Sequence, residues 1–148
     1  MAANRQKSKR RSGASSAIPP GPLIFITDET LGRRTIPEAL RAAGAEVKVY
    51  RDLFSPGLVD REWLRIAGEK GWVVLTKDSG IKNRRNEVER LLSCDARTFI
   101  LVGSDLSGSE IGASFVKALP DIKKICAEVA PPFIAQVQRS GWVVVIGN

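Results

Sequence analysis

The segment LIFITDE, residues 23–29, decides how the rest of the chain is interpreted, because an apolar run leads directly into two adjacent carboxylates. A continuous apolar run of this length, entered through Pro-Gly-Pro, predicts a buried strand of a parallel sheet. In open α/β sheets, ligands bind at the carboxyl ends of the strands. Asp28, which directly follows this strand, is therefore the first candidate site residue.

The segment WVVLTKD, residues 72–78, repeats this layout. Its apolar run ends in Thr76, and Asp78 follows two residues later. Because the carboxyl ends of parallel strands meet at one edge of a sheet, the two segments are expected to bring Asp28 and Asp78 to the same edge.

Composition narrows the class of protein. The chain has 148 residues, of which 43% are hydrophobic, and this predicts a single domain with a real core. Neither an apolar run of membrane-spanning length nor a secretory signal is visible, so we expect a cytoplasmic protein with no membrane partner. The two cysteines, Cys94 and Cys126, have no metal-binding spacing and are interpreted as free buried thiols.

The chain contains no histidine, which excludes several classes of active site at once. Ser-His-Asp and Cys-His nucleophile systems, HExxH metalloproteases and most zinc sites all need that side chain. The remaining inventory of carboxylates, hydroxyls and basic groups suits hard cations such as Mg²⁺ or Mn²⁺.

The net charge of +7 is concentrated at the N-terminus. Residues 1–22 contain five basic side chains and no acidic one, whereas the rest of the chain carries only +2. We interpret residues 1–22 as a disordered basic tail and residues 23–148 as the folded domain. The tail is either an electrostatic tether for RNA or an acidic partner, or a solvated segment without a specific role.

Helix signals separate the predicted strands. Thr35-Ile-Pro-Glu38 has the spacing of a capping box and predicts a helix start, and Gly44 ends that helix. A strand through residues 45–50 and a loop over 51–57 follow. Asp60 stands at the expected N-cap of the next helix, which ends at Gly71, and is interpreted either as that cap or as a site residue.

The C-terminal half continues the alternation of predicted strands and helices. A strand ends at Val102, Asp105 follows it as a loop residue that is also a weak site candidate, and a second capping-box spacing at Ser107 opens a long helix. Alternating residues 133–138, a turn and the apolar residues 142–146 predict a terminal hairpin. This order predicts a three-layer α/β/α fold with a mainly parallel sheet.

Three cations, Lys82, Arg84 and Arg85, follow Asp78 just before a predicted helix over residues 86–93. A helix N-terminus is the positive end of the helix dipole, so cations there favour a bound anion. The alternative is pairing with Glu87 and Glu89.

The ordered set of Asp28, Asp60 and Thr76-x-Asp78 resembles the PIN-domain nucleases, in particular the short PIN-like proteins related to VapC-type toxins of bacterial toxin–antitoxin pairs. The likeness covers residues 23–148. It implies an endoribonuclease in which Asp28, Asp60 and Asp78 hold one or two Mg²⁺ or Mn²⁺ ions, with Thr76 as a supporting hydroxyl. It also implies an RNA substrate and a cognate antitoxin, and it leaves a homodimer open.

PIN nucleases generally carry a further acid between the first and the helix-opening aspartate, and here Glu29 or Glu38 is the stand-in. The candidate phosphate-binding residues are Arg33, Arg34, Lys82, Arg84 and Arg85. Two alternatives remain: a catalytically silent PIN-like module that binds RNA or protein, and a Mg²⁺-binding phospho-acceptor receiver domain. The last strand offers no lysine where a receiver places one.

Overall fold

The computed structural model of the chain describes residues 23–55, 60–77, 89, 91–103 and 105–148. The predicted tail, residues 1–22, lies outside the described residues, as do Asp78 and the three cations Lys82, Arg84 and Arg85. Of the predicted helix over residues 86–93, positions 89 and 91–93 are described; 89, 91 and 92 are helical, and Ser93 lies in a turn.

The described residues form one six-stranded sheet with the strand order β2-β1-β3-β4-β5-β6. All neighbouring strands are parallel except the terminal hairpin of β5 and β6, so the predicted mainly parallel α/β sheet with a C-terminal hairpin is confirmed. The strands are β1 Ile24–Thr27, β2 Glu46–Val49, β3 Val73–Lys77, β4 Arg97–Leu101, β5 Phe133–Val137 and β6 Val143–Gly147. The helices are α1 Thr35–Ala42, α2 Tyr50–Leu53, α3 Asp60–Lys70 and α4 Gly108–Glu128, with a 3-10 turn at Glu29–Leu31.

Two apolar cores cover the two faces of this sheet. Phe25 of β1 packs into the core under α1 and α4, whereas its neighbour Ile26 packs into the core under α3. Because both faces of a central strand are buried, both alternating sets of side chains must be apolar, which explains the uninterrupted apolar run at the start of the domain. The three layers are therefore helices, sheet and helices. Within the described residues, no helix has both the length and the apolar character that crossing a membrane needs.

The two predicted capping boxes have different outcomes. At the start of α4 the box is formed: the Ser107 hydroxyl accepts from the Glu110 N–H at 3.1 Å, and the Ser107 N–H donates to Glu110 Oε1 at 2.9 Å. At α1 the predicted helix start is confirmed, but the predicted capping box is wrong. Thr35 is the first helical residue, and Arg34 occupies the N-cap without a side-chain hydrogen bond. The motif is displaced by one residue from the position that would let its side chains reach the free N–H groups.

The second strand is shorter than predicted, and the segment predicted as a loop after it begins with a short helix. The strand ends at Val49, and Tyr50 begins the short helix α2 instead of ending the strand. Tertiary packing explains the difference, because the Tyr50 ring lies 5.3 Å from the rings of both Phe54 and Trp63. A turn of helix brings Phe54 back over Tyr50, and its N–H donates to the Tyr50 carbonyl at 2.9 Å.

The terminal hairpin is confirmed, but the alternation predicted for its first arm is wrong. β5 is buried at all positions but Gln136, because it lies between β4 and β6 and is covered on both faces, and the alternation appears on β6 instead. Trp142 precedes β6 and is 65% exposed. Cys94 and Cys126 are buried, as predicted, and burial raises the pKa of the Cys126 thiol to about 12.

Candidate functional site

The strand order creates a crevice between β1 and β3. The chain passes from β1 to β2 on one side and then returns across β1 to form β3 on the other side. Adjacent parallel strands whose connections leave in opposite directions form a switch point, and ligands bind at the carboxyl ends of such strands. Thr27 pairs with Leu75 across this boundary, so Asp28 lies beside Thr76 at the edge of the sheet.

The Asp28 carboxylate is held from both strands. Its Oδ1 atom accepts hydrogen bonds from the Thr30 N–H at 3.0 Å and from the Thr30 hydroxyl at 2.5 Å, and its Oδ2 atom accepts from the Thr76 hydroxyl of β3. The Asp28 N–H donates to the Leu75 carbonyl at 3.1 Å. These contacts fix the orientation of the carboxylate. The supporting role expected of the Thr76 hydroxyl stays a prediction.

Asp60 begins α3 at the same edge. The first turn of α3 also contains Trp63, whose ring packs edge-on against Tyr50, the residue directly after β2. The start of α3 therefore lies beyond the carboxyl end of the sheet. The helix includes Asp60 as its first residue rather than starting after it, one residue from the predicted N-cap.

Of Asp60 only the backbone is described, and Asp78 directly follows the last residue of β3 but lies outside the described residues. The fold thus brings the backbone of Asp28, Asp60 and the end of β3 to one edge. Convergence of the three carboxylates stays a prediction. Among the side chains that the structure describes, no group of three potential metal ligands is present.

The other acidic candidates differ in position. Glu29 starts the 3-10 turn next to Asp28, and its Oε2 atom lies 3.9 Å from Arg51 Nη1. Glu38 is exposed on α1, and Asp105 is exposed beyond β4 in a left-handed conformation with φ of 60°. Of these three acids only Glu29 lines the cavity beside Asp28.

That cavity is open and has a volume of about 580 Å³. Of the five predicted phosphate-binding residues, Arg33 and Arg34 line it, and the other three lie outside the described residues. Two further cations line it that the sequence analysis did not select: Arg51 in α2 and Lys77 at the end of β3. Their positions close to the carboxyl ends of β2 and β3 are the signal that would have found them, since the same signal selected Asp28.

The cavity has an apolar floor and a basic rim. Leu31, Ile36 and Ile111 are buried residues of its lining, and Leu106 is half-buried. Helices α1 and α4 both begin here, and they pack closely enough that a Cβ at Gly108 would lie 3.5 Å from Thr35 Cγ2. The lining is Glu29, Thr30, Leu31, Gly32, Arg33, Arg34, Thr35, Ile36, Arg51, Lys77, Leu106, Gly108 and Ile111.

Two long ion pairs connect this lining to α2. Arg51 Nη1 lies 3.9 Å from Glu29 Oε2, and Arg33 Nη2 lies 3.9 Å from Asp52 Oδ1. All four side chains are well exposed. Exposed pairs at this distance contribute little stability, so the arginines can turn towards an incoming anion at small cost.

Comparisons with known proteins agree with this architecture. A family model described as "PIN like domain" matches residues 23–103. A protein of Mycobacterium tuberculosis (strain ATCC 25618 / H37Rv), named "Putative ribonuclease VapC45", is 32% identical over 129 residues, which cover 83% of this chain and 91% of that protein. No solved structure matches the chain.

Proposed function

We propose, because this chain belongs to the PIN-like domain family, that it is an endoribonuclease that hydrolyses RNA phosphodiester bonds. The observation that carries the proposal is the Asp28 carboxylate, fixed at the switch point by the hydroxyls of Thr30 and Thr76 beside a cavity lined by four cations. A carboxylate that can take a cation next to basic groups that can take phosphates is what phosphodiester hydrolysis requires.

We further propose that Asp28, Asp60 and Asp78 hold one or two Mg²⁺ or Mn²⁺ ions. The donor set fits such ions, because carboxylate oxygens are their preferred ligands and the hydroxyls of Thr30 and Thr76 hold the Asp28 oxygens in position. A bound ion of this kind supplies an activated water and neutralises charge that develops on the phosphate oxygens. Glu29 is the stand-in for the further acid of PIN nucleases, since it directly follows Asp28 and lines the cavity.

The other residues of the site are proposed to orient the Asp28 carboxylate or to bind the RNA. Thr30 and Thr76 keep the Asp28 carboxylate in one position, which a metal ligand needs. Arg33 and Arg34, with Arg51 and Lys77, hold phosphates of the RNA at the rim of the cavity. Lys82, Arg84 and Arg85 are proposed to contact further phosphates along the RNA strand.

The test of this function is cleavage of a labelled RNA by the purified chain in Mn²⁺ or Mg²⁺, with EDTA as a control. We expect cleavage that EDTA abolishes and that Asp28→Asn abolishes, because the amide keeps the shape but removes the charge. Asp121→Asn, on the exposed side of α4, is the matched control and should cleave like the parent. An Asp28→Asn variant as active as the parent would overturn the proposal, and a parent without activity would favour the silent binding module.

We also propose that the chain is the toxin of a type II toxin–antitoxin pair, on the basis of the VapC name of its relative. Induced expression should then arrest growth of a bacterial host, Asp28→Asn should not, and co-expression of the adjacent gene should restore growth. Arrest that persists in Asp28→Asn would contradict a toxic ribonuclease. Family membership argues against the receiver-domain alternative.

A further inference from the structure

We infer that the cavity beside Asp28 is a nucleotide subsite, which takes one nucleotide of the RNA with its base on the apolar floor and a flanking phosphate on the basic rim. This inference rests on the proposed ribonuclease function and adds where, and by what chemistry, the substrate is gripped. The cavity is separate from the carboxylate site, because its lining includes Glu29 and Lys77, neighbours of Asp28 and Thr76, but neither Asp28 nor Thr76.

The rim selects an anion. Arg33, Arg34, Arg51 and Lys77 face a single carboxylate, that of Glu29, among the described residues of the lining. Two of these arginines, Arg33 and Arg51, have exposed acidic partners at 3.9 Å among the described residues, and they can exchange these partners for a phosphate that forms shorter, charge-assisted hydrogen bonds. The excess of positive charge therefore favours a phosphate-bearing ligand over a neutral one.

The apolar floor favours a ligand that has an apolar face in addition to a phosphate. The accessible apolar surface comes mainly from the half-buried Leu106, and Leu31, Ile36 and Ile111, which are almost fully buried, add small parts of their side chains. An inorganic anion does not use this surface. A nucleobase has an apolar face and polar edges, so it can cover this surface while Thr30 and Thr35 supply hydroxyls nearby. The volume of about 580 Å³ is in the usual range for small-molecule sites, about 300–1,000 Å³.

The position of the cavity gives the subsite its role. It opens one residue away from Asp28 on one strand and one residue away from Thr76 on the next. A nucleotide held there is adjacent to the phosphate that Asp28 serves. The subsite would therefore both anchor the RNA and contribute to the choice of the base next to the cleaved bond.

The experiment is calorimetric titration of the full-length chain in EDTA with AMP, GMP, CMP and UMP, and with ribose 5-phosphate and inorganic phosphate as probes without a base. At least one nucleotide should bind about tenfold more tightly than ribose 5-phosphate, because a base that covers the apolar floor removes apolar surface from water. Equal affinity for ribose 5-phosphate and all four nucleotides would overturn the inference, and this comparison needs no variant. Absence of binding by every probe would overturn it as well.

Two variants locate the binding. Arg51→Gln should weaken nucleotides and ribose 5-phosphate alike, whereas Leu106→Asn should weaken the nucleotides and leave ribose 5-phosphate unchanged. The matched controls are Arg65→Gln, an exposed arginine of α3 outside the cavity, and Leu53→Asn, an exposed leucine of α2 outside it. Nucleotide affinity that is unchanged in both cavity variants would place the binding elsewhere and overturn the assignment.

The outcomes also separate this inference from the proposed function. If the parent cleaves RNA but binds no nucleotide in EDTA, the ribonuclease function is supported and the subsite is contradicted. If the parent binds nucleotides but cleaves no RNA, the subsite is supported and the ribonuclease function is contradicted. In an active parent, Leu106→Asn should raise KM for RNA and alter the base preference at the cleaved bond, with little change in kcat.

Discussion

Two carboxylates at the starts of helical turns, Asp28 and Glu110, differ in their positions in the fold and in the contacts that the structure describes for them. Asp28 caps the 3-10 turn after β1, and the donors described around it are the Thr30 N–H and the hydroxyls of Thr30 and Thr76. Glu110 lies in the first turn of α4, where its Oε1 atom accepts from the Ser107 N–H and its Oε2 atom accepts from Arg139 at 2.7 Å.

The hydrogen-bond partners of Glu110 give its carboxylate a structural role. Hydrogen bonds from the backbone and the side chain of Ser107 and the nearby Arg139 charge lower the pKa of Glu110 below its usual value. Arg139 belongs to the turn between β5 and β6, so this carboxylate connects α4 to the hairpin. A carboxylate that already faces an arginine at hydrogen-bond distance has little to offer a metal ion.

The difference teaches how to distinguish a structural carboxylate from a candidate ligand when both are hydrogen-bonded. Asp28 follows β1 at the switch point of the sheet, where ligands bind, and the hydroxyls of Thr30 and Thr76 orient its carboxylate. Glu110 lies in the first turn of α4, and its contacts with Ser107 and Arg139 join that helix to the hairpin. By position and by these contacts, Asp28 suits a metal site and Glu110 suits a scaffold. The predictions below test this assignment, from the largest expected effect to the smallest.

Mn²⁺ should stabilise the parent strongly and Asp28→Asn hardly at all. A ligand that binds only the folded state at a hundred times its Kd adds about 2.7 kcal/mol to the free energy of unfolding. Glu110→Gln should keep the full Mn²⁺ effect, because its carboxylate is not part of the site. Thermal melts with and without Mn²⁺ measure all three proteins, and an equal shift in parent and Asp28→Asn would show that Asp28 is not a ligand. In EDTA, Asp28→Asn should melt close to the parent.

Removing the Thr76 hydroxyl should impair the site without removing its ligand. Thr76→Val leaves Asp28 with one fewer donor, and we expect RNA cleavage and Mn²⁺ affinity to fall by about 10–100-fold, the usual effect of losing a group that orients a metal ligand. Thr76→Ser should restore most of the loss.

The matched control for that prediction is Thr98→Val on the neighbouring strand β4. The Thr98 hydroxyl is buried and has no hydrogen-bond partner within the described part of the chain. Its replacement by an isosteric methyl should leave activity unchanged and stability equal or higher. A Thr76→Val variant as active as Thr98→Val would mean that the hydroxyl bond to Asp28 does not serve the site.

The sequence predicted the sheet because burial on both faces leaves a local signature. Phe25 and Ile26 enter different cores, so the run that contains them has no polar interruption. Asp28 was predicted for the same reason, since it ends such a run. Local sequence carries this information because it depends on one strand and its own end.

The sequence analysis missed features that depend on contacts between distant segments of the chain. Arg51 and Lys77 become neighbours of Arg33 only through the order β2-β1-β3, which places three strand ends side by side. The short helix after β2 forms because Tyr50 packs on Trp63 of α3. A position near a strand end would have selected Arg51 and Lys77 as candidates, but no local pattern encodes which strand ends lie side by side or which rings pack together.

The two capping-box spacings should differ in their effect on stability. Ser107→Ala removes a formed cap from α4 and should lower the free energy of unfolding by about 1 kcal/mol. Thr35→Ala should change it by less than about 0.5 kcal/mol, because Thr35 does not cap α1. Denaturant unfolding of both variants decides this, and equal losses would mean that the box at α1 forms in solution.

The smallest effect, the pH dependence conferred by Glu110, gives a further test of the contrast with Asp28. Because its folded pKa lies below the ordinary value of 4.5, Glu110 adds stability above pH 4.5 that is lost as the pH falls through its folded pKa. The melting temperature of Glu110→Gln should therefore be below that of the parent at pH 6, and the difference should shrink as the pH falls below 4.5. Other acids titrate in both proteins and cancel in the difference. A difference that stays constant over this range would contradict the structural role assigned to Glu110, and a Glu110→Gln variant that binds Mn²⁺ or cleaves RNA less well at neutral pH would contradict its separation from the site.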